Sequence, residues 1–187
     1  ASSPLWTFEP LTATRISVPS NDTATIQYRV TNQSRKRHVL RMSEIPGLSQ
    51  VTNGVGNCGN PMSLAANESC NLTLLVNGTL LRETVTYGPI LCDEASSIQC
   101  YQPSRANVLH ITQTAPITTA TISVTNSPLS LLTSGAAGSM TITNQSLVVA
   151  ATNITSNFVG TALDGNVTET GNTCANLLPQ ASCTLSF

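Results

Sequence analysis

Ala24-Thr25-Ile26-Gln27-Tyr28-Arg29-Val30-Thr31-Asn32-Gln33-Ser34 decides the fold class, and Gly138-Ser139-Met140-Thr141-Ile142-Thr143-Asn144-Gln145-Ser146 repeats its ending. In the first stretch Ala24, Ile26, Tyr28 and Val30 alternate with polar residues, and Met140 and Ile142 do so in the second. A period of two places one set of side chains on a core and the other in water, which is a half-buried β-strand. Two further blocks accompany the Thr-Asn-Gln-Ser tetrapeptide. Ile16-Ser17-Val18 returns as Ile122-Ser123-Val124, and Gly56-Asn57-Cys58 leading to Ser69-Cys70-Asn71-Leu72-Thr73-Leu74 returns as Gly171-Asn172-Thr173-Cys174 leading to Ser182-Cys183-Thr184-Leu185-Ser186-Phe187. Three blocks in one order imply two related domains. The boundary is placed between Gln113 and Ile117, giving modules over 1–115 and 116–187.

Composition agrees with strands. The 187 residues include 27 Thr, 21 Ser and 16 Asn, a β-branched and turn-forming vocabulary. Only 9% are charged while 40% are hydrophobic, enough apolar material to build a core and to exclude an ordinary disordered chain. Leu72, Leu74 and Val76 continue the alternation, and Val108–Thr112 reads as a closing strand with Leu109 and Ile111 inward. Pro19-Ser20-Asn21-Asp22, Asn53-Gly54, Asn77-Gly78 and Asp164-Gly165-Asn166 supply turns at hairpin intervals. The expected architecture is all-β, two tandem immunoglobulin-like sandwiches, with a jelly roll as the alternative. Ile117 to Phe187 spans 71 residues, short of the ~100 of such a sandwich. The second module is therefore expected to be incomplete, with an unpaired sheet edge and an apolar strip beside Leu185 and Phe187 open to self-association.

Six cysteines fall as three local couples, Cys58 with Cys70, Cys92 with Cys100, and Cys174 with Cys183. Fifteen connectivities exist in principle, and short loops close most readily. None forms C-x-x-C, and His38 and His110 are the only histidines, so disulfides are preferred to zinc and the location is read as extracytoplasmic. Each bridge is worth about 2–3 kcal/mol through restriction of the unfolded chain.

A net charge of -1 supplies no field for nucleic acid, and no apolar run approaches the ~20 residues of a transmembrane helix. Three Asp, six Glu and two His form no recognised catalytic motif, and no cofactor is expected. Gly135-Ala136-Ala137-Gly138 lacks the Lys-Ser/Thr of a phosphate loop, His110 reads as a solvated strand histidine, and Asp164, Asn166 and Glu169 are too few for calcium. Eight Asn-x-Ser/Thr matches reflect composition and turn chemistry. Arg35-Lys36-Arg37-His38 with Arg41 holds four of the eight Lys and Arg residues. These five are the candidate binding residues, set against a solvated hairpin tip with edge-strand charges. The second module has Leu147-Val148-Val149 at the corresponding place.

The second half, through Gly138–Ser146, Ala151-Thr152-Asn153-Ile154, Cys174 and Leu177-Leu178-Pro179-Gln180-Ala181-Ser182-Cys183-Thr184-Leu185, resembles bacterial immunoglobulin-like modules of the ASPM/SPD-2/Hydin or choice-of-anchor type. The first half, through Tyr28–Ser34 and Cys100-Tyr101-Gln102-Pro103-Ser104, resembles the module that accompanies them in secreted Legionella repeat proteins. The resemblance implies secretion or surface exposure and a non-enzymatic spacer or protein-binding role, in such a setting toward a host. The partner would be another protein or the chain's own downstream domains. A fragment of a secreted hydrolase and a carbohydrate-binding sandwich are the alternatives, the second poorly supplied with aromatics. Peptide mapping without reductant is expected to join 58 to 70, 92 to 100 and 174 to 183; free thiols at these positions would remove the compartment inference.

Overall fold

In the structure, a computed structural model describing residues 2–187, the alternating stretches are strands and the chain divides into two units, one ending at Pro116 and the other spanning Ile117–Phe187. The first contains β1 (Trp6–Pro10), β2 (Arg15–Pro19), β3 (Thr23–Asn32), β4 (His38–Met42), β5 (Leu48–Val51), β6 (Met62–Leu64), β7 (Ser69–Asn77), β8 (Leu91–Asp93), β9 (Ser96–Tyr101) and β10 (His110–Thr114). Two four-stranded antiparallel sheets run in the orders β1-β3-β7-β5 and β6-β4-β8-β9, and β2 pairs with β10 in parallel. Ile26, Tyr28, Val30, Leu72, Leu74 and Val76 from the first sheet share one core with Leu40, Met62, Leu64 and Leu91 from the second. Each is worth roughly 1.5–3 kcal/mol when fully buried. Trp6 joins the sheets as well: fully buried on β1, its Nε1 donates to the Leu91 carbonyl at 3.2 Å, and its ring meets Tyr101 edge-on at 4.8 Å.

The second unit contains β11 (Ile122–Thr125), β12 (Ser139–Asn144), β13 (Ala151–Thr152), β14 (Gly171–Asn172), β15 (Asn176–Leu177) and β16 (Ser182–Ser186). Its sheet runs β11-β12-β16-β14, and a short β13-β15 ladder is all that stands where the first unit has a second four-stranded sheet. The core shrinks with it, from eighteen buried residues to six.

The repeated tetrapeptide does the same work twice. Asn32 and Asn144 are fully buried at the ends of β3 and β12. Asn32 Nδ2 faces the carbonyls of Lys36, Leu64 and Ala65 at 2.8, 2.9 and 3.1 Å, while its Oδ1 accepts from the Ser34 amide at 3.0 Å. Asn144 Nδ2 donates to Val149 and Leu177 at 2.8 and 3.1 Å, and its Oδ1 accepts from the Ser146 amide at 3.0 Å. Gln33 and Gln145 reach Thr7 and Ser123 on the neighbouring strand, and Thr31 and Thr143 meet Ser69 and Ser182 across the ladder. Buried polar atoms of this kind are stabilising only when fully partnered.

The cysteine block repeats in register too. Cys70 lies opposite Val30, as Cys183 lies opposite Ile142. Disulfides join Cys58 to Cys70, Cys92 to Cys100 and Cys174 to Cys183. The first and last tie the loop after β5 or β14 back onto β7 or β16, while the middle one links directly opposed residues of the β8–β9 hairpin.

Two expectations are corrected. Ile122-Ser123-Val124 is not the counterpart of Ile16-Ser17-Val18: β11 pairs with β12 from Ile122 opposite Asn144, as β1 pairs with β3 from Trp6 opposite Asn32. The positional counterpart is Trp6-Thr7-Phe8, whereas Ile16 to Val18 belong to the parallel pair with β10. Three β-branched or small residues recur easily in this composition, and backbone pairing sets the true equivalence. Nor is the terminal strand an unpaired edge. β16 is flanked by β12 and β14, the latter through Gly171 opposite Ser186 and Asn172 opposite Leu185. Leu185 is buried, and Phe187 closes a two-way backbone bond with Gly138 and meets the Phe158 ring at 5.7 Å. Phe158 comes from the strand-free run between β13 and β14, and with Phe187, Leu129, Leu131, Met140 and Leu163 it lines an apolar cavity of about 390 Å³.

Asn32→Ala should cost about 3 kcal/mol, because buried carbonyls lose their donor. Asn32→Asp should cost at least as much at neutral pH, since a carboxylate would face carbonyl oxygens. The same changes at Asn144 are expected to lower the unfolding midpoint of the second unit; denaturant melts of the four variants check both.

Candidate functional site

The turn from β3 to β4 carries the basic cluster, and the asparagine tie shapes it. After Asn32 turns the chain, Ser34 Oγ donates to the Lys36 carbonyl at 2.8 Å and accepts from the Lys36 amide at 3.2 Å. Arg35, Lys36 and Arg37 are left on the exposed tip, and the chain enters β4 at His38.

The five candidate residues then separate by environment. Strand β4 lies inside its sheet, between β6 and β8, so His38 and Arg41 are not edge-strand charges. His38 is half-buried beneath Trp6, with ring centroids 5.4 Å apart, and its Nδ1 stands 2.5 Å from Asp93 Oδ2. The hydrogen bond from His38, with a second from the Ala95 amide, holds the Asp93 carboxyl below its ordinary range against the opposing effect of desolvation. An ionised Asp93 fixes the roles, so His38 Nδ1–H donates. Arg41 directs Nε and Nη2 to one Glu94 oxygen at 3.0 and 2.6 Å. Arg37 donates to Ser63 Oγ on β6 at 2.9 Å. Among the described residues the side chains of Arg35 and Lys36 make no hydrogen bond or ion pair.

The cluster is thus two things. His38 and Arg41 are matched to adjacent acids at the β8–β9 turn and act within the second sheet. Arg35, Lys36 and Arg37 form an outward cationic tip whose field reaches about 8–10 Å at ordinary salt. Sequence reading missed Asp93 and Glu94, and the signal was present: they follow Cys92 inside a short disulfide loop, where a tight hairpin must project polar side chains.

Other polar groups weighed for chemistry are occupied structurally. Glu169 accepts from the amide and hydroxyl of Ser156 at 2.9 and 2.7 Å and from Asn172 at 2.9 Å, which lowers its pKa and anchors the run from β13 to β14. Asp164 faces the Gly160 amide in its own turn. Among the described residues no three His, Cys, Asp or Glu side chains converge as metal ligands. Tyr28 donates to the Asn107 carbonyl at 2.6 Å, and burial raises its pKa.

A crystal structure of a protein of unknown function from Porphyromonas gingivalis is similar over 96% of this chain and 78% of that one, at 11% identity and a TM-score of 0.38. No family model and no curated protein matches the chain. The chain is an all-β protein with three disulfides, and no helix among the described residues is long and apolar enough to cross a membrane.

Asp93 is held below its unfolded pKa of about 3.9, so its stabilising contribution is complete above that pH and is lost as pH falls through the lower folded value. The gap in denaturation midpoint between wild type and Asp93→Asn should therefore widen from about pH 2 to about pH 5. A gap independent of pH over that range would contradict the pairing. Arg41→Gln, which removes an exposed pair, should change stability by no more than about 1 kcal/mol.

Proposed function

We propose that the chain is a non-enzymatic, extracytoplasmic protein of tandem immunoglobulin-like modules of the ASPM/SPD-2/Hydin type, and that its first module binds an acidic protein surface through Arg35, Lys36 and Arg37. Two four-stranded antiparallel sheets, β1-β3-β7-β5 and β6-β4-β8-β9, that share one core support the sandwich reading, with one departure from the usual order: β5 pairs with β7 and β6 with β4, the reverse of what the fourth and fifth strands of such domains do. The three disulfides support an oxidising compartment. Secretion by a bacterium and a role toward a host belong to the same proposal and rest on the sequence resemblance.

One observation carries the binding reading. Both modules turn the chain with the same buried asparagine, yet one presents Arg35-Lys36-Arg37 and the other Leu147-Val148-Val149. The asparagine anchor is shared while the presented chemistry goes from cationic to apolar. A rigid frame with a variable tip is how loops acquire recognition. Three cations with no acidic partner among the described residues give on-rate and orientation toward an acidic surface, with a strong dependence on salt.

Immobilised poly-glutamate tests this directly. Wild type should bind at low ionic strength and release as salt rises, and the triple variant Arg35→Ser, Lys36→Ser, Arg37→Ser should lose about tenfold in affinity with its unfolding midpoint within ~0.5 kcal/mol of wild type. Equal retention of both proteins, or of neither, would reject the proposal.

A further inference from the structure

Outside the basic cluster of residues 35–41 the chain has four arginines, Arg15, Arg29, Arg82 and Arg105. Arg29 is spent on Glu9 across the β1–β3 ladder. Two of the other three, Arg15 and Arg105, line one concavity of about 340 Å³ together with His110, Thr14 and Thr86, and no acidic residue lines it. Neither arginine side chain makes a hydrogen bond or ion pair among the described residues. Two exposed arginines 90 residues apart in sequence thus border one recess, a concentration of positive charge that favours an anion there.

The backbone under these side chains is fixed from every side. His110 lies opposite Arg15 in the parallel β2–β10 pair, and its amide donates to the Thr14 carbonyl at 2.8 Å. Val85, next to Thr86, exchanges both backbone bonds with Ile111 at 3.0 and 2.9 Å. The turn bearing Arg105 is closed by the amides of Asn107 and Val108 on the Ser104 carbonyl, and the buried Tyr28 hydroxyl clamps Asn107 from below. The backbone that carries the donors is therefore fixed before a ligand arrives, and only the exposed arginine side chains remain to be ordered on binding.

We infer that this recess is a binding site for a tetrahedral oxyanion carried as an ester on a small organic group, a sugar sulfate or a phosphomonoester. Two guanidinium forks supply paired N–H donors to the anionic oxygens, and His110 with the Thr14 and Thr86 hydroxyls supplies single donors around them. Volume argues for an ester: the recess is at the low end of small-molecule sites, larger than a bare ion fills. Arg15 and Arg105 are distinct from the Arg35–Arg37 tip, so this site stands or falls independently of the acidic-partner proposal.

The full chain, ¹⁵N-labelled, is titrated at constant ionic strength with inorganic phosphate, inorganic sulfate, glucose 6-phosphate and glucose 6-sulfate. Saturable amide shifts confined to Arg15, Thr86 and Arg105–His110 are expected, with at least one ester tighter than its inorganic ion; which ester wins identifies the source. Arg15→Gln with Arg105→Gln should weaken binding by about tenfold for each arginine. Should that double variant lose spectral dispersion, Arg15→Lys and Arg105→Lys singly keep the charge, remove the fork, and should each still weaken binding. Shifts that do not saturate, that are unchanged in these variants, or that are abolished by the Arg35–Lys36–Arg37 substitutions instead would overturn the assignment.

Discussion

A buried side-chain amide that replaces missing backbone partners is the interaction on which each module rests. Where β3 ends, the chain must leave the first sheet and cross to β4, and the carbonyls of Lys36 in that crossing and of Leu64 and Ala65 at the end of β6 converge on Asn32 Nδ2. Asn32 answers all three, and its own amide and carbonyl are bonded to Glu68 and Asn67. Asn144 does the same in the second module with Ala181 and Gln180. A hydrophobic residue there would strand several polar groups in a core that includes Leu64 or Leu177. The asparagine thus sets where the sheet ends, how tightly the next turn closes, and what that turn can present.

Two kinds of charge follow from this crossing. The cations before β4 are exposed and meet no acid among the described residues, Arg37 bonding only the Ser63 hydroxyl, while His38 and Arg41 on β4 pair with Asp93 and Glu94. His38 illustrates the second kind. It sits between the Trp6 ring and Asp93, so a polar pair at the sheet margin is shielded on one side by the largest apolar side chain of the module. Elsewhere, the parallel pairing of β2 and β10 sets Arg15 beside the turn that bears Arg105, around a recess that no acidic residue lines.

The strands and the local cysteine couples were readable because they depend on short-range regularities: alternation in Ala24–Val30, and loops too short to close otherwise. The Asn-Gln-Ser block stood out as a repeat, but its purpose was hidden, since its partners at Leu64, Ala65 and Leu177 lie some 32 or 33 residues away. Long-range pairing also explains the failures. The Ile-Ser-Val match misled because three residues carry too little information to fix which sheet a strand joins. β14 escaped notice because Gly171-Asn172 has no alternation to read, and it covers the edge of β16 through main-chain bonds alone. Arg15 and Arg105 lie near opposite ends of the first module and come to line one recess through β2–β10 pairing.

The three disulfides have a consequence for length. Their loops separate cysteines by 12, 8 and 9 residues, and none of this chain can be drawn out while the sulfurs stay joined. At about 3.4 Å per extended residue, the bridges withhold roughly 90 Å of reach. A chain pulled taut between two attachments in an oxidising medium is therefore shorter than its residue number implies, and a thiol reagent would lengthen the tether without cutting it.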